Sequence, residues 1–200
     1  SVSQDLLKLK SEKDPDNSAI EIVSIGRFHW KKGYHYALDT MKILKEKNVD
    51  FYYTIIAQGK IPEEILFLLE EYKLSDKVKI IPGMKFEELI KKLIQSDLLI
   101  LPSVEEGIAN VVLESMASGI PVVTTDCGGM NEAVKDNVNG YIVNSRKPEL
   151  MAEKIMTYLN SDNSIRKDMT ESARKTIKEK FSPERQIREF SDLYNSILAG

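Results

Sequence analysis

Four charged side chains in this sequence stand at spacings that suit a ligand. Two are cations, Arg27 and Lys32, inside Gly26-Arg-Phe-His-Trp-Lys-Lys-Gly33, which has glycine at both ends. A guanidinium offers a planar fork of donors and an ammonium a point charge, while glycine lets backbone turn tightly and approach a ligand closely; the segment suits a phosphate. Two are acids, Glu106 and Glu114, with seven residues between them. An ionised carboxylate only accepts hydrogen bonds and can hold the two hydroxyls of a vicinal diol. Each pair has a plainer explanation too. The cations equally describe a solvated surface loop, Glu106 a solvent-facing acid, and Glu114 an acid that offsets a helix dipole. Against the last stands Glu114's setting among Val111, Val112, Leu113, Met116 and Ala117, where an unpartnered carboxylate is expensive.

These residues need elements to hold them, and the apolar pattern supplies a repeating set. Runs of strand length fall at 20–25, 51–57, 78–81, 98–101, 122–124 and 141–143. Most are continuously apolar rather than alternating, which indicates strands buried on both faces and hence a parallel sheet. Helix-period segments at about 34–47, 62–73, 86–95, 110–118 and 148–160 supply the crossovers that parallel strands require. The expected fold is an α/β, Rossmann-like three-layer domain with a parallel sheet of about six strands, closed by C-terminal helices at 164–180 and 183–198. Ser182-Pro183 marks the start of the last helix, a cap followed by proline at the first helical position. The charged stretch 1–18 reads as a linker or tail and 19–200 as the domain.

Ligands of such sheets bind outside the carboxyl ends of the strands. The phosphate-suited loop follows the first strand, and Glu106 follows the fourth. After Glu106 the helix starts near Ala109 or Asn110, with Asn110 as its expected cap and Gly119 with Pro121 as its stop. That leaves the N–H groups of about Ile108 to Val111 unpaired at the positive end of a helix, an anion site. Two acids beside an anion site make sense for a ligand with hydroxyls on both sides of its phosphates, the arrangement of a nucleotide sugar. The loop 81–84, with Gly83 and Met84, is placed to meet a planar base or to serve as an ordinary turn. The loop 125–132, with Gly128 and Gly129, also allows close backbone approach.

Other candidates carry less. Asp14-Pro-Asp16 has a D-x-D form but sits in the polar tail, so no metal site is expected there. His29 and His35 lack partners at metal-ligand spacing. The lone Cys127 reads as a small buried thiol and suits a reducing compartment. Trp30 and Tyr34 flank the basic loop, where they could stack on a base or sugar, although half-buried packing is the commoner role. Walker-type and G-x-G-x-x-G loops are absent. The 200 residues are 42% hydrophobic and 30% charged with a formal charge of −3, so the mixed signs give no basic face for nucleic acid. No apolar run reaches the ~18–20 residues of a membrane span, and the polar start lacks an apolar leader core, which together lead to a cytoplasmic expectation.

Taken in order, the motifs resemble the C-terminal, donor-binding domain of the retaining glycosyltransferases of the GT-B fold, group 1 or family 4, over about residues 20–198. Gly26-Arg27 with Lys32-Gly33 is similar to that family's diphosphate loop. Leu101-Pro102-Ser103, Glu106-Gly107 and Glu114 resemble its E-x7-E signature, and the run SMASGIPVV at 115–123, Gly128-Gly129, Glu132 and Asn139-Gly140 follow in family order. The resemblance implies that Arg27 and Lys32 bind the donor diphosphate, Glu106 the transferred sugar and Glu114 the ribose hydroxyls. It further implies that backbone at Gly107, Ile108, Ala109 and Asn110 faces the sugar and distal phosphate, and that Gly83 and Met84 meet the base. There are departures. Gly107-Ile108-Ala109 stands where G-F-G is common, which bears on sugar specificity, and Ala57-Gln58-Gly59 where a G-x-G is expected, which bears on the phosphate side.

The family has two Rossmann-like domains, and this chain has room for the second; the acceptor-binding N-terminal domain is expected to be missing. The implied donor is a nucleotide-diphospho-sugar, a UDP-sugar first, with no cofactor and no metal. The acceptor, a glycan, lipid or small molecule, is reached through the missing domain, and the full-length protein has scope for peripheral membrane contact. Two other readings remain: a non-catalytic nucleotide-sugar-binding module on the same fold, and a sugar-nucleotide 2-epimerase, a group that lacks this acid spacing paired with Gly-Arg and Lys-Gly.

Overall fold

The computed structural model describes residues 4–9, 19–185, 187, 188, 191 and 194. Six strands, β1 (Ile20–Arg27), β2 (Phe51–Gln58), β3 (Val78–Pro82), β4 (Leu98–Leu101), β5 (Val122–Thr125) and β6 (Tyr141–Val143), form one sheet in the order β3-β2-β1-β4-β5-β6. Every pairing is parallel. Between and after them come α1 (Tyr34–Glu46), α2 (Glu63–Glu71), α3 (Phe86–Ile94), α4 (Asn110–Ser118), α5 (Met130–Ala133), α6 (Pro148–Asn160) and α7 (Asn163–Lys180). The α/β class, the parallel sheet and its six strands are those the apolar runs dictate.

The continuous apolar strands are buried on both faces, and alternate residues divide them. Ile20 and Ile22 of β1 join α1, α2 and α6 on one face, and Val23 and Ile25 join α3, α4 and the end of α7 on the other. In this strand order the chain winds outward in both directions from β1 and β4, so the helices that follow them, α1 and α4, pack on opposite faces and the ends of these two strands form the switch point at which ligands of such sheets bind. The backbone ladder between them covers Ile22 with Leu98 and Val23 with Leu99. Beyond it a side chain takes over: the Ser24 hydroxyl donates to the Ile100 carbonyl (2.7 Å) and accepts from the Tyr53 hydroxyl (2.8 Å), all three residues being fully buried.

Several boundaries move, each for a physical reason. Gly26 and Arg27, expected in the first loop, belong to β1, where they pair with Ala57 and Gln58; the Phe28 N–H then donates to the Gln58 carbonyl (2.8 Å). Pro82 ends β3 rather than opening a loop, which an edge strand permits because only one side needs donors. Asn110 is the first helical residue, not the cap: Ala109 takes the cap position in extended conformation (φ −72°, ψ 126°) with no side-chain bond. Within the expected tail, residues 4–8 form a 3-10 turn, and Leu6 is 5% exposed in the cluster that α4 and α7 share. Asp14 to Asp16 and most of the expected helix 183–198 lie outside the described residues, although the Arg185 N–H does donate to the Ser182 hydroxyl (3.3 Å) where that helix was expected to start.

Candidate functional site

The crevice at β1 and β4 is built by three loops that lock onto one another. After β1, His29 Nδ1 accepts from the Lys31 N–H (3.3 Å) and caps a 3-10 turn, Trp30–Lys32. Gly33 ends that turn in the left-handed region (φ 63°), and a β-carbon there would stand 2.1 Å from the Pro102 carbonyl oxygen, so both conformation and space require glycine. The loop after β4 is therefore seated directly on it. The Val104 N–H donates to the Lys31 carbonyl (2.8 Å), and two ion pairs, Lys31 with Glu105 and Lys32 with Glu106, join the same loops. From the other side comes the loop after β5. Gly128 (φ 61°) lies so close to Glu106 that a β-carbon would fall 1.8 Å from its carbonyl oxygen, and the Thr125 hydroxyl donates to the Ser103 carbonyl.

Within this frame the predicted residues sort into three groups. Lys32 and Glu106 face each other, with side chains 19% and 23% exposed, a pair partly withdrawn from water and less screened than Lys31 with Glu105 (39% and 60%). The family resemblance led to the expectation of Lys32 against phosphate and Glu106 against sugar; the structure adds that the two are paired with each other in the free protein. Arg27 and Glu114 form the second group. Arg27 is exposed, and among the described residues its side chain makes no ion pair or hydrogen bond. Glu114, in the second turn of α4, is half-buried and likewise accepts no hydrogen bond, and burial pushes its carboxyl above the ordinary carboxylate range.

The third group is backbone. The first N–H groups of α4 with an acceptor are those of Val112 and Leu113, both directed to the Ala109 carbonyl (3.0 and 3.3 Å). Among the described residues the N–H groups of Ile108, Ala109, Asn110 and Val111 have none, so the positive end of the helix opens on the crevice beside Gly107. Gly83 and Met84 are not brought into this cluster. They follow β3 at the sheet edge, with β2 and its Gln58 between them and β1. Gly83 is exposed, and Met84 packs part-buried against the α3 face.

Other side chains near the crevice have plain roles or none that spacing could reveal. Tyr34, expected half-buried, is the first residue of α1 and only 4% exposed, whereas Trp30 is 61% exposed. Cys127 is buried; burial pushes its thiol up and the nearby Glu106 carboxylate adds to this, so it remains a thiol rather than a nucleophilic thiolate. His29 is the turn cap already described, and His35 lies against Tyr36 with ring centroids 4.0 Å apart. Among the described residues no three His, Cys, Asp or Glu side chains gather as a metal site, and no helix is long and apolar enough to cross a membrane. A cavity of about 680 Å³ lies elsewhere, lined by Leu7, Lys8, Arg174 and Lys178, and holds none of the predicted site residues. The contacts that sequence reading missed include Lys32 with Glu106, Lys31 with Glu105, Thr125 with Ser103, and the seats of Gly33 and Gly128. All join positions far apart in the chain.

Comparison with known proteins gives the family and the fold. The family model "Glycosyl transferases group 1" matches residues 7–176. WcaL of Escherichia coli K12, a glycosyltransferase provisionally assigned to colanic acid biosynthesis, is 31% identical over 185 residues, which cover 89% of this chain and 45% of WcaL. A glycosyltransferase from Rickettsia africae superimposes with a TM-score of 0.85 at 23% identity, over 99% of this chain and 56% of its own. HepE from Anabaena, solved in complex with UDP-glucose, gives 0.81 at 17% identity, over 97% and 55%. At those identities the two structures speak for the fold. The chain spans about half the length of the curated relatives it matches.

Proposed function

The chain belongs to the group 1 glycosyltransferase family, and on that premise we propose that it is the donor-binding half of a retaining hexosyltransferase that uses a nucleotide-diphospho-sugar, a UDP-sugar first. The observation that carries this reading is the crevice itself. Arg27 ends β1, and the open N-terminus of α4 with half-buried Glu114 follows the neighbouring strand β4; among the described residues neither side chain makes a hydrogen bond. Cation and helix end suit a diphosphate, and Glu114 suits the ribose diol. That WcaL is assigned to a polysaccharide pathway and HepE binds UDP-glucose supports the substrate class.

In this reading Arg27, Lys32 and the start of α4 offset the charge that grows on the departing diphosphate. Lys32 is already paired with Glu106, so an arriving diphosphate competes for the ammonium and frees the Glu106 carboxylate to accept from sugar hydroxyls. The donor thereby exchanges one anion for another at Lys32, and the positive charge is in place before the reaction. These groups do the work that a divalent cation does in other diphosphate sites, so turnover should persist in EDTA. The acceptor, a glycan, lipid or small molecule, binds through a second domain in the longer protein.

Calorimetric titration of the intact protein with UDP-, GDP- and ADP-sugars tests the donor class. Saturable binding by one of them that Arg27→Ala weakens supports the reading, and no binding by any of the three sinks it. Binding without hydrolysis or transfer across glycan, lipid and small-molecule acceptors assigns the fold a carrier role instead.

A further inference from the structure

Trp30 and Tyr34 flank the same basic turn and meet opposite fates: Tyr34 is buried, and Trp30 is 61% exposed. An indole left in water forgoes the burial its large apolar surface would gain, although a lone exposed ring on a loose loop needs no explanation. The turn that carries Trp30 is not loose. His29 caps it, Gly33 is seated on the Pro102 carbonyl, and the Val104 N–H donates to the Lys31 carbonyl (2.8 Å). The ring is thus presented on fixed backbone, and with two χ angles a tryptophan loses little entropy when a ligand settles on it. Polar groups adjoin it. The Lys31 ammonium stands over the ring, 5.6 Å from its centroid, and pairs with Glu105, so indole, ammonium and carboxylate make one continuous group at the surface. That group is fastened to the β4 loop, whose next residue is Glu106, and lies away from β3, the strand whose loop was expected to meet the base.

We propose that Trp30 is a carbohydrate platform for the acceptor: a pyranose lays its C–H face on the indole and turns a hydroxyl toward the Glu105 carboxylate. An aromatic face is electron-rich and draws the positively polarised hydrogens of a sugar's C–H face, while a carboxylate only accepts and so suits a hydroxyl. A sugar ring offers both groups at once, whereas an alkyl chain has no donor for Glu105. Lys31 stays on Glu105 and fixes its direction. The inference rests on the glycosyltransferase reading and adds, beside the second domain, a contact to the acceptor from this chain.

The intact protein is compared as wild type, Trp30→Ala, Trp30→Phe and Glu105→Ala. Each is titrated calorimetrically with short oligosaccharides of glucose, galactose, mannose and N-acetylglucosamine, with and without the tightest binder among UDP, GDP and ADP, and with that diphosphate alone. The expected result is an oligosaccharide whose Kd Trp30→Ala raises about tenfold, the scale of one aromatic contact. Trp30→Phe keeps an aromatic face and recovers most of that loss, and Glu105→Ala raises the Kd a few-fold, the net worth of about one hydrogen bond. Diphosphate affinity and Tm stay unchanged, because the exposed ring supports neither. Unchanged oligosaccharide affinity in either alanine variant, or no recovery by phenylalanine, overturns the platform. A matching loss of diphosphate affinity in Trp30→Ala overturns it as well, since the ring would then serve the donor. So does a lowered Tm, which would mean that the ring packs against the rest of the longer chain. No binding of any oligosaccharide by wild type also overturns it, even where Arg27→Ala still weakens diphosphate binding and the donor reading stands. If wild type binds none of the diphosphates, the donor reading fails, and oligosaccharide binding that depends on Trp30 supports the platform without it.

Discussion

The loops after β1, β4 and β5 are tied at nearly every turn, whereas the loop after β3 hangs from one backbone bond, Gly83 N–H to the Ala57 carbonyl (3.1 Å), and the side chain of Gln58. The first region has a cross-loop backbone bond, two ion pairs, a hydroxyl bond and two glycines seated on carbonyl oxygens. Such ties cost chain entropy when they form, and they hold charged groups in place before a ligand arrives. That is what a site must do where charge develops in a reaction, since dipoles already aimed need no reorganisation. The β3 loop, if it meets the base as proposed, faces no such demand; a planar base is held by contact, and a looser loop can adjust to it.

The largest expected effect falls on the tied region. Lys32→Ala should lower kcat/KM of the full-length enzyme about 10²–10³-fold, the scale of one preorganised donor and equal to ~2.7–4 kcal/mol of transition-state stabilisation. Lys31→Ala, one residue away in an exposed pair, should change it by no more than about threefold. Steady-state kinetics on both variants decides the matter. Equal losses would mean that the two ion pairs simply hold the loops together and that Lys32 has no separate role.

Next come the glycines. Gly128→Ala forces a β-carbon to 1.8 Å from the Glu106 carbonyl oxygen at a φ of 61°. Backbone cannot swing aside, so overpacking and left-handed strain together should cost roughly 2–4 kcal/mol, a fall in Tm of about 5–15 °C for a chain of this size. At Gly83 a β-carbon would also approach closely, 2.3 Å, but to Cγ of Gln58. That side chain is exposed and can rotate away, so Gly83→Ala should cost less than about 1 kcal/mol, as surface substitutions generally do. Thermal melts that rank the two the other way would break the contrast between a fixed and an adaptable region.

This contrast also marks what could be read from the sequence. The continuous apolar strands and their helical crossovers were legible because burial on both faces leaves an unbroken run. The strand ends were not. That Gly26 and Arg27 extend β1 depends on Ala57 and Gln58 lying alongside, which no local pattern states. The charged residues near the ends of β1 and β4 were legible by type, yet the pairing of Lys32 with Glu106 spans 74 positions and exists only once β1 and β4 are neighbours. Gly33 and Gly128 were visible as glycines, and their necessity was not, since the carbonyls they accommodate belong to other loops. Leu6 was passed over because a charged setting masked one apolar side chain that α4 and α7 bury.

A smaller effect separates stability from binding at Glu114. Burial raises its carboxyl in the folded protein, so between the ordinary value near ~4.3 and the raised one the native state binds more proton than the unfolded chain. Stability therefore falls as pH rises through that window and is level above it. Glu114→Gln removes the charge, and its Tm at pH 7 should exceed that of wild type by no more than about 2–4 °C, the shift that ~1 kcal/mol produces at this length. Below pH ~4 the two proteins should melt together. The same variant should bind the donor less well, because an amide presents one acceptor where a carboxylate presents two. A more stable protein with unchanged affinity would overturn the ribose role proposed for Glu114.

The smallest effect concerns Asn110, where side chain and backbone make opposite predictions. As a cap its side chain would be worth about 1 kcal/mol, but Ala109 holds the cap position and Asn110 begins the helix with its side chain exposed. Asn110→Ala should thus leave Tm and donor affinity nearly unchanged. Asn110→Pro is the sharper variant. Proline is favoured at the first helical position, and Ala109 at ψ 126° already has the extended conformation that a following proline imposes. The fold should accept it, and relative to Asn110→Ala the group removed is the Asn110 N–H, which has no acceptor among the described residues. Donor affinity should then fall a few-fold, the net worth of about one hydrogen bond, with Tm unchanged. Unchanged affinity in the proline variant would show that the start of α4 acts through its summed dipole, or not at all, rather than through this amide.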